Sequence, residues 1–378
     1  MTVQYDNRPI FRILHTEWSS GWGGQEQRII LECRKAMERR HEVLIACQPG
    51  SGILAKAQET GIPTVIIRMR SGYDLLAILQ LVQLIRRSKI DVVNTHSGKD
   101  TWLGSIAARI AGVKLLVRTR HLSIPLSTSP LNFVHRMADG IITTGVAIQE
   151  DLITRNRLPA DRIISIATGV SIKRFDPQSI DASEVRRELG LPNDIQIVTM
   201  VAVLRGMKRH DLFVEAVGLL RGRFPTAHFL IVGDGPGRES IEGMVRDAGL
   251  QERITMTGYR KDIECILAAT DVVVLTSDRF EGVPQSLSQA MSMGRPVVAA
   301  PVGSIAELVL HNKTGLMATC GDASSFAEAI GRLLNDSDLR QRIGEAARSH
   351  ILESYTDDIM IDRTIKFYDQ LLHRRKAG

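Results

Sequence analysis

The chain has 378 residues, more than one ordinary core accommodates, so two domains are expected. An apolar content of 44% and a charged content of 24% fit an ordinary soluble globular protein, and only 4% aromatics argues against a base-stacking nucleic-acid binder. The net charge of +6 is uneven: basic clusters at 33–41, 68–72, 85–89 and 117–121 crowd the first third and one lies at 373–376, which suits solvated helix faces, a phosphorylated saccharide or an anionic inner leaflet.

The opening stretch MTVQYDNRPIFRILH has no apolar h-region, so no secretory signal is expected and the location is expected to be cytoplasmic. Short β-branched runs then alternate with amphipathic stretches. Strands are predicted at 11–16, 42–47, 63–69, 91–96, 114–119, 140–144 and 163–167. The stretch 26–40 reads as a helix with Ile29, Ile30, Cys33 and Met37 on its apolar face and Arg and Glu opposite. Gly23 and Gly24 open this helix, and backbone N–H groups there suit a phosphate or an acceptor. The greasiest segment, LLAILQLVQLI (75–85), is too short to span a bilayer, so any membrane contact is expected to be peripheral, on the inner face. NTHSGKDTWLG places His96 at the C-terminal end of the fourth strand. VRTRHLSIP places Arg118, Arg120 and His121 at the end of the fifth, where they could recognise an anion.

A polar, Pro-containing stretch at 173–183 marks a domain boundary, giving domains 1–175 and 176–357. Beyond it strands are predicted at 195–203, 227–233, 254–258, 271–277, 295–300 and 314–319. This is an α/β pattern of two Rossmann-like, doubly wound parallel-sheet domains facing a central cleft, with ligands at strand C-terminal ends. Arg205 and Lys208 follow the strand at 195–203; a planar fork beside a point charge suits a diphosphate, although solvated turns also carry such residues. Gly233, Gly235 and Gly237 imitate a dinucleotide fingerprint, but Arg238 stands where the third glycine belongs, so a tight turn is the better reading. In RFEGVPQSLSQAM, Glu281 precedes a helix start with Gly282 and Pro284. It could accept hydrogen bonds from sugar hydroxyls, with Gln289 within reach of more, or simply complement the helix dipole. Asp336 and Asp338 form the chain's Asp-x-Asp, which reads as a helix cap and not a metal site. Cys33, Cys47, Cys265 and Cys320 lack metal-ligand spacing and are expected to be reduced core residues.

Seven stretches in order resemble family 4 of the retaining glycosyltransferases, which have the GT-B fold: the Gly23-Gly24 loop, DVVNTHSGKD, TGVSIKRFDP, LRGMKRHDLF, IVGDGPGRESIE, DRFEGVPQSLSQAMSMGRPVVAAPVGSIAELV and KTGLM. The resemblance implies an N-terminal acceptor-side domain, onto which the closing helix at about 358–378 packs back, and a C-terminal nucleotide-sugar domain. It implies that Arg205 and Lys208 neutralise the leaving diphosphate, that Glu281 binds donor-sugar hydroxyls and that His96 lies near the reacting centre. Donor binding is implied for Gly23, Gly24, Gly282, Val283, Pro284, Gln285, Gln289 and Glu307, and weaker acceptor roles for Arg118, Arg120 and His121. Gln289 replaces the second Glu of the family's Glu-x7-Glu, which puts nucleotide preference in doubt. The implied activity moves a sugar, with retention and without a metal, from a UDP- or GDP-linked donor to an anionic saccharide or lipid-linked acceptor in surface-glycan (lipopolysaccharide or capsule) assembly. An epimerase or phosphorylase on the same fold, or a degenerate glycan-binding subunit, would carry similar motifs.

Overall fold

The β-branched runs of the first half form one parallel sheet and those of the second half another. The structure is a computed structural model and describes residues 9–127 and 129–377. The first sheet contains β1 (Arg12–Glu17), β2 (Glu42–Cys47), β3 (Thr64–Ile66), β4 (Val92–Thr95), β5 (Leu115–Arg120), β6 (Gly140–Thr143) and β7 (Ile163–Ser165). Their spatial order is β3-β2-β1-β4-β5-β6-β7, parallel throughout. The second contains β8 (Ile197–Val201), β9 (His228–Val232), β10 (Ile254–Gly258), β11 (Val272–Leu275), β12 (Val297–Ala299) and β13 (Leu316–Met317). Their order is β10-β9-β8-β11-β12-β13, again parallel.

Two apolar layers flank the first sheet. One gathers Ile13, Ile29, Cys33, Ile45 and Leu115; the other gathers Leu14, Ala46, Leu81, Val93 and Leu116. Neighbouring residues of one strand thus enter opposite layers, as the pleat requires. A sheet buried on both faces needs uninterrupted apolar strands, which is why the runs stand out in the sequence. All thirteen predicted strands are present. The third is shorter than 63–69, because side chains take over the pairing at its end. Trp18 and Gln48 donate to the Met69 carbonyl, and Gln48 accepts the Met69 N–H.

The chain divides into two compact units: the part up to Gly169 together with everything from Asp357 on, and Val170–Thr356. The terminal helix Asp357–Ala377 therefore belongs to the first unit. Its Met360, Ile361, Ile365, Phe367, Tyr368 and Leu371 enter the layer that contains Ile13 and Ile29. Gly140 makes room for it, since a Cβ there would lie 2.4 Å from Leu371 Cδ1. Lys35 and Arg39 pair with Asp358 at 2.9 and 3.0 Å. The expected faces of the helix Gly24–Glu38 are corrected as well. Met37 is exposed, whereas Arg28 and Glu32 are buried and paired at 3.4 Å.

Asp336 caps the helix Ser337–Ser354, accepting the Leu339 N–H at 2.8 Å. All four cysteines are free. Cys33 and Cys47 are buried, but Cys265 is half-buried and Cys320 exposed, so the expectation of four core cysteines fails for these two. Among the described residues no helix is long and apolar enough to cross a membrane.

Candidate active site

Where the strand order of an open parallel sheet reverses, the two diverging crossovers leave a crevice at the strand C-termini. The reversal falls between β8 and β11 in the second unit and between β1 and β4 in the first.

In the second unit, β8 leads into the tight turn Gly206–Lys208. The end of β11 holds that turn: the Thr276 hydroxyl donates to the carbonyls of Lys208 and Arg209 at 2.9 and 2.8 Å, and the Asp278 N–H donates to that of Met207 at 3.1 Å. The glycine turn after β9 supports the approach to it. Gly233 and Gly235 have φ of +141° and +158°, and a Cβ on them would lie 2.0 Å from the Ala202 oxygen and 2.7 Å from the Leu204 oxygen. The Leu204 N–H donates to the Asp234 carbonyl at 3.1 Å, and the Gly237 N–H to that of Leu204 at 2.9 Å. These glycines serve close backbone approach, as the tight-turn reading requires.

Lys208 Nζ donates to Glu281 Oε1, and the side chains are only 19% and 7% exposed. Arg205 is exposed and pairs with no carboxylate among the described residues. Arg209 and Phe280, next to Lys208 and Glu281, have φ of +50° and +61°. Left-handed backbone at non-glycine residues carries strain, and such strain collects at functional sites. The Glu281 carbonyl accepts the Ser304 N–H at 3.1 Å, and Gly303, at φ +55°, lies so close that a Cβ would be 2.0 Å from that oxygen. Gly282, Val283 and Pro284 are buried behind Glu281; Pro284 caps the helix Gln285–Ser292. Gln285 and Gln289 are half-buried on it, and Glu307 is half-buried on the short helix Ile305–Leu308 that follows Gly303. The structure therefore places Lys208 against Glu281 and sets the Glu307 segment on the Glu281 backbone.

In the first unit, three histidines from three strand ends form a chain. His15 Nδ1 lies 2.9 Å from His96 Nε2, and His96 Nδ1 lies 3.0 Å from His121 Nε2. Burial holds all three below the usual imidazole range, His96 and His121 well below it, so the rings are neutral at neutral pH. Both nitrogens of His96 are engaged; the ring nitrogen left at the outer end is His121 Nδ1. Asp100 accepts the N–H groups of His96 and Ser97, each at 2.8 Å, and the Thr16 hydroxyl at 3.0 Å. Burial lifts its pKa to about 6. Glu17, at the end of β1, accepts the Ser19 N–H at 2.7 Å and the Gln25 amide at 2.5 Å. Burial, reinforced by the Asp100 charge, pushes it up to about 8. His15, Glu17 and Asp100 were missed from the sequence. Only Asp100 carries a readable signal, the Ser97-x-x-Asp100 cap.

Gly23 caps the helix Gly24–Glu38, but its N–H already donates to Glu26 at 2.8 Å. Arg118, Arg120, His121 and His96 line a cavity of about 560 Å³. Buried Arg118 donates to His135 Nδ1 and Arg120 to the Ile124 carbonyl. Burial lowers their pKa values to about 9 and about 10, so both remain cations at neutral pH.

Two family models match the chain: Glycosyltransferase Family 4 over residues 22–174 and Glycosyl transferases group 1 over residues 181–350. The alpha-D-kanosaminyltransferase of Streptomyces kanamyceticus is 30% identical over 72% of this chain and 76% of its own. The UDP-Gal:alpha-D-GlcNAc-diphosphoundecaprenol alpha-1,3-galactosyltransferase of Escherichia coli is 29% identical over 81% of this chain and 82% of its own. Among solved structures, a glycosyltransferase from Rickettsia africae superposes with a TM-score of 0.86 at 20% identity, covering 96% of this chain and 99% of its own. An Anabaena protein in complex with UDP gives 0.84 at 22% identity, covering 95% and 100%.

Proposed function

The chain belongs to glycosyltransferase family 4, with the GT-B fold, and we propose that it moves a sugar from a UDP-linked donor to an anionic, lipid-linked saccharide acceptor in surface-glycan assembly, with retention of configuration. The observation that carries this reading is the pairing of half-buried Lys208 with buried Glu281 beside exposed Arg205 at the β8–β11 reversal. In transfer, the bond between the anomeric carbon and the diphosphate breaks, and the acceptor hydroxyl bonds to that carbon from the same face. Its proton leaves on a diphosphate oxygen. Arg205 and Lys208 would take the charge that develops on the diphosphate, and preorganised cations do this without a metal. Glu281 would hold donor-sugar hydroxyls, releasing Lys208 to the diphosphate, with Gln289 and Glu307 completing the donor seat. The cationic cavity of the first unit would take the acceptor, with His121 Nδ1 as its hydrogen-bonding nitrogen and His96 as the ring that orients it.

UDP is favoured because the E. coli relative is named for UDP-Gal and the Anabaena protein was solved with UDP. The diphosphoundecaprenol acceptor in the E. coli name supports a lipid-linked acceptor, and so a place at the cytoplasmic face of the membrane. The test is a thermal-shift screen of nucleoside diphosphates and their sugars, followed by turnover assays with and without EDTA. A UDP-sugar should stabilise the chain, and transfer should survive chelation. Stabilisation by none of them, or activity lost to EDTA and restored by a divalent ion, would overturn the reading.

A further inference from the structure

We propose that the helix Leu75–Arg87 and the turn before it form a docking face for an anionic lipid surface. The inward face of this helix is ordinary core: Ala77, Ile78, Leu81, Val82 and Ile85 are buried. Its outward face is apolar as well. Leu75, Leu76 and Leu79 are 74%, 59% and 65% exposed, and Tyr73, just ahead, is 73% exposed. A solvated helix face carries polar and charged groups, whereas these four side chains form a ridge facing water.

The charges around the ridge select its occupant. Farther along, the outward positions are Gln80, Gln83, Arg86 and Arg87, all exposed. No carboxylate occurs between Leu75 and Ile90, whereas Arg86, Arg87 and Lys89 fall there and Arg68 and Arg70 precede the ridge. Asp74, the acid beside it, is committed to capping: it accepts the N–H groups of Ala77 and Arg70, each at 3.2 Å. An anionic bilayer meets both halves of this pattern, with an apolar boundary for Leu and Tyr and phosphates for Arg. The helix is too short to span, so it lies in the interface.

Tyr73 fixes where the ridge begins. It lines the same cavity as Arg118 and His121, with its ring 5.5 Å from that of Trp102. Docking on the ridge therefore holds the cavity rim against the surface in which a lipid-linked acceptor resides. That last step rests on the proposed function; the docking does not.

The test is co-sedimentation of the full chain with phosphatidylglycerol–phosphatidylethanolamine vesicles and, separately, with phosphatidylcholine vesicles. The chain should bind the anionic vesicles, less tightly as salt rises, and the neutral ones weakly. Leu75→Ser/Leu76→Ser/Leu79→Ser should lower partitioning at least about tenfold. Arg86→Gln/Arg87→Gln should lower it about 20- to 30-fold on anionic vesicles alone. Thermal unfolding should show both variants folded, and the leucine variant should turn over a soluble short-chain acceptor at the wild-type rate. Wild-type chain that stays in the supernatant, a leucine variant that binds like wild type, or self-association through this face without vesicle binding overturns the proposal. Vesicle binding by a chain that transfers no sugar supports docking and overturns the catalytic reading instead.

Discussion

Lys208 pairs with a buried carboxylate, Glu281, so removing either partner has two consequences that must be separated. Lys208→Ala strands a buried carboxylate, which should cost about 1–3 kcal/mol of stability, and removes a cation from the diphosphate, which should cost about 10²–10³ in turnover. Lys208→Ala/Glu281→Gln should recover the melting temperature but not the turnover. Recovery of both would show that the pair is structural only. Arg205 is exposed, so Arg205→Ala should lose turnover at unchanged stability, and near-normal rates would remove it from the diphosphate seat. At position 289 an amide offers two donors and one acceptor where the family pattern has a carboxylate. Gln289→Glu should shift nucleotide affinity or preference in calorimetry; no change would mean that this position does not read the ribose. Glu17 makes stability depend on pH. Its folded pKa is raised from 4.5 to about 8, chiefly by burial. Between those values the unfolded chain has lost the proton and the folded chain keeps it, so stability falls as pH rises and levels off above about 8. The depressed histidines act the other way: the unfolded state takes up protons below about 6.5, so their contribution is complete above that pH and is lost as pH falls. From pH 6.5 to 8, then, the melting temperature should fall with pH, and Glu17→Gln should flatten the slope. An equally steep slope in that variant would mean that Glu17 is ionised throughout.

At the scale of elements, the loops after β8, β9 and β11 are set by backbone packed on backbone, and glycine is what permits it. A Cβ at Gly303 would meet the Glu281 carbonyl at 2.0 Å, whereas one at Gly321, also at positive φ, would meet nothing within 4 Å. Gly321→Ala should therefore cost only the left-handed backbone penalty, about 1–2 kcal/mol. Gly303→Ala should cost more and also move Glu281, with turnover falling at least about tenfold. Equal costs, measured by denaturant unfolding, would mean that the loop relaxes away from the contact. Central strands buried on both faces leave β-branched runs, so the fold class was legible from them, and the half-exposed edge strand β3 and the two-residue β13 were found from the same rhythm. Arg205, Lys208 and Glu281 stand out as polar residues just past such runs. The histidine chain did not, because His15, His96 and His121 lie at the ends of β1, β4 and β5 and meet only through the strand order. Gly303 is likewise silent in sequence, since its neighbour is the backbone of a different loop. Burial of Arg28 and Glu32 could not follow from the period of their own helix, because what they face is distant in sequence: the Ile166 carbonyl accepts from Arg28, and Tyr368 of the terminal helix lies near both.

For the whole molecule, the first unit is built from both ends of the chain and the second from an unbroken stretch between them. The terminal helix contributes six buried apolar side chains to the first unit. At about 1.5–3 kcal/mol for each large apolar side chain removed from water, that is on the order of 10 kcal/mol, as much as the entire stability of a typical domain. It also partners polar groups of the first unit: buried Asn94 donates to the Tyr368 hydroxyl at 3.2 Å, and Lys35 and Arg39 find Asp358 and Asp362 there. A chain ending at Thr356 should therefore lose the first unit cooperatively while the second, whose core includes Val185, Ile197, Leu230 and Ile266, remains folded. Hydrogen exchange should show amides of β1 and of the helix Gly24–Glu38 unprotected in the truncated chain and those of β8 and β11 protected as in the full chain. Because the donor seat and the acceptor cavity lie in different units, the same truncated chain should still be stabilised by a UDP-sugar in a thermal-shift assay while transferring nothing. Retained protection in β1 would show that the first unit folds without its terminal helix, and loss of nucleotide-dependent stabilisation would show that the second unit does not hold the donor alone.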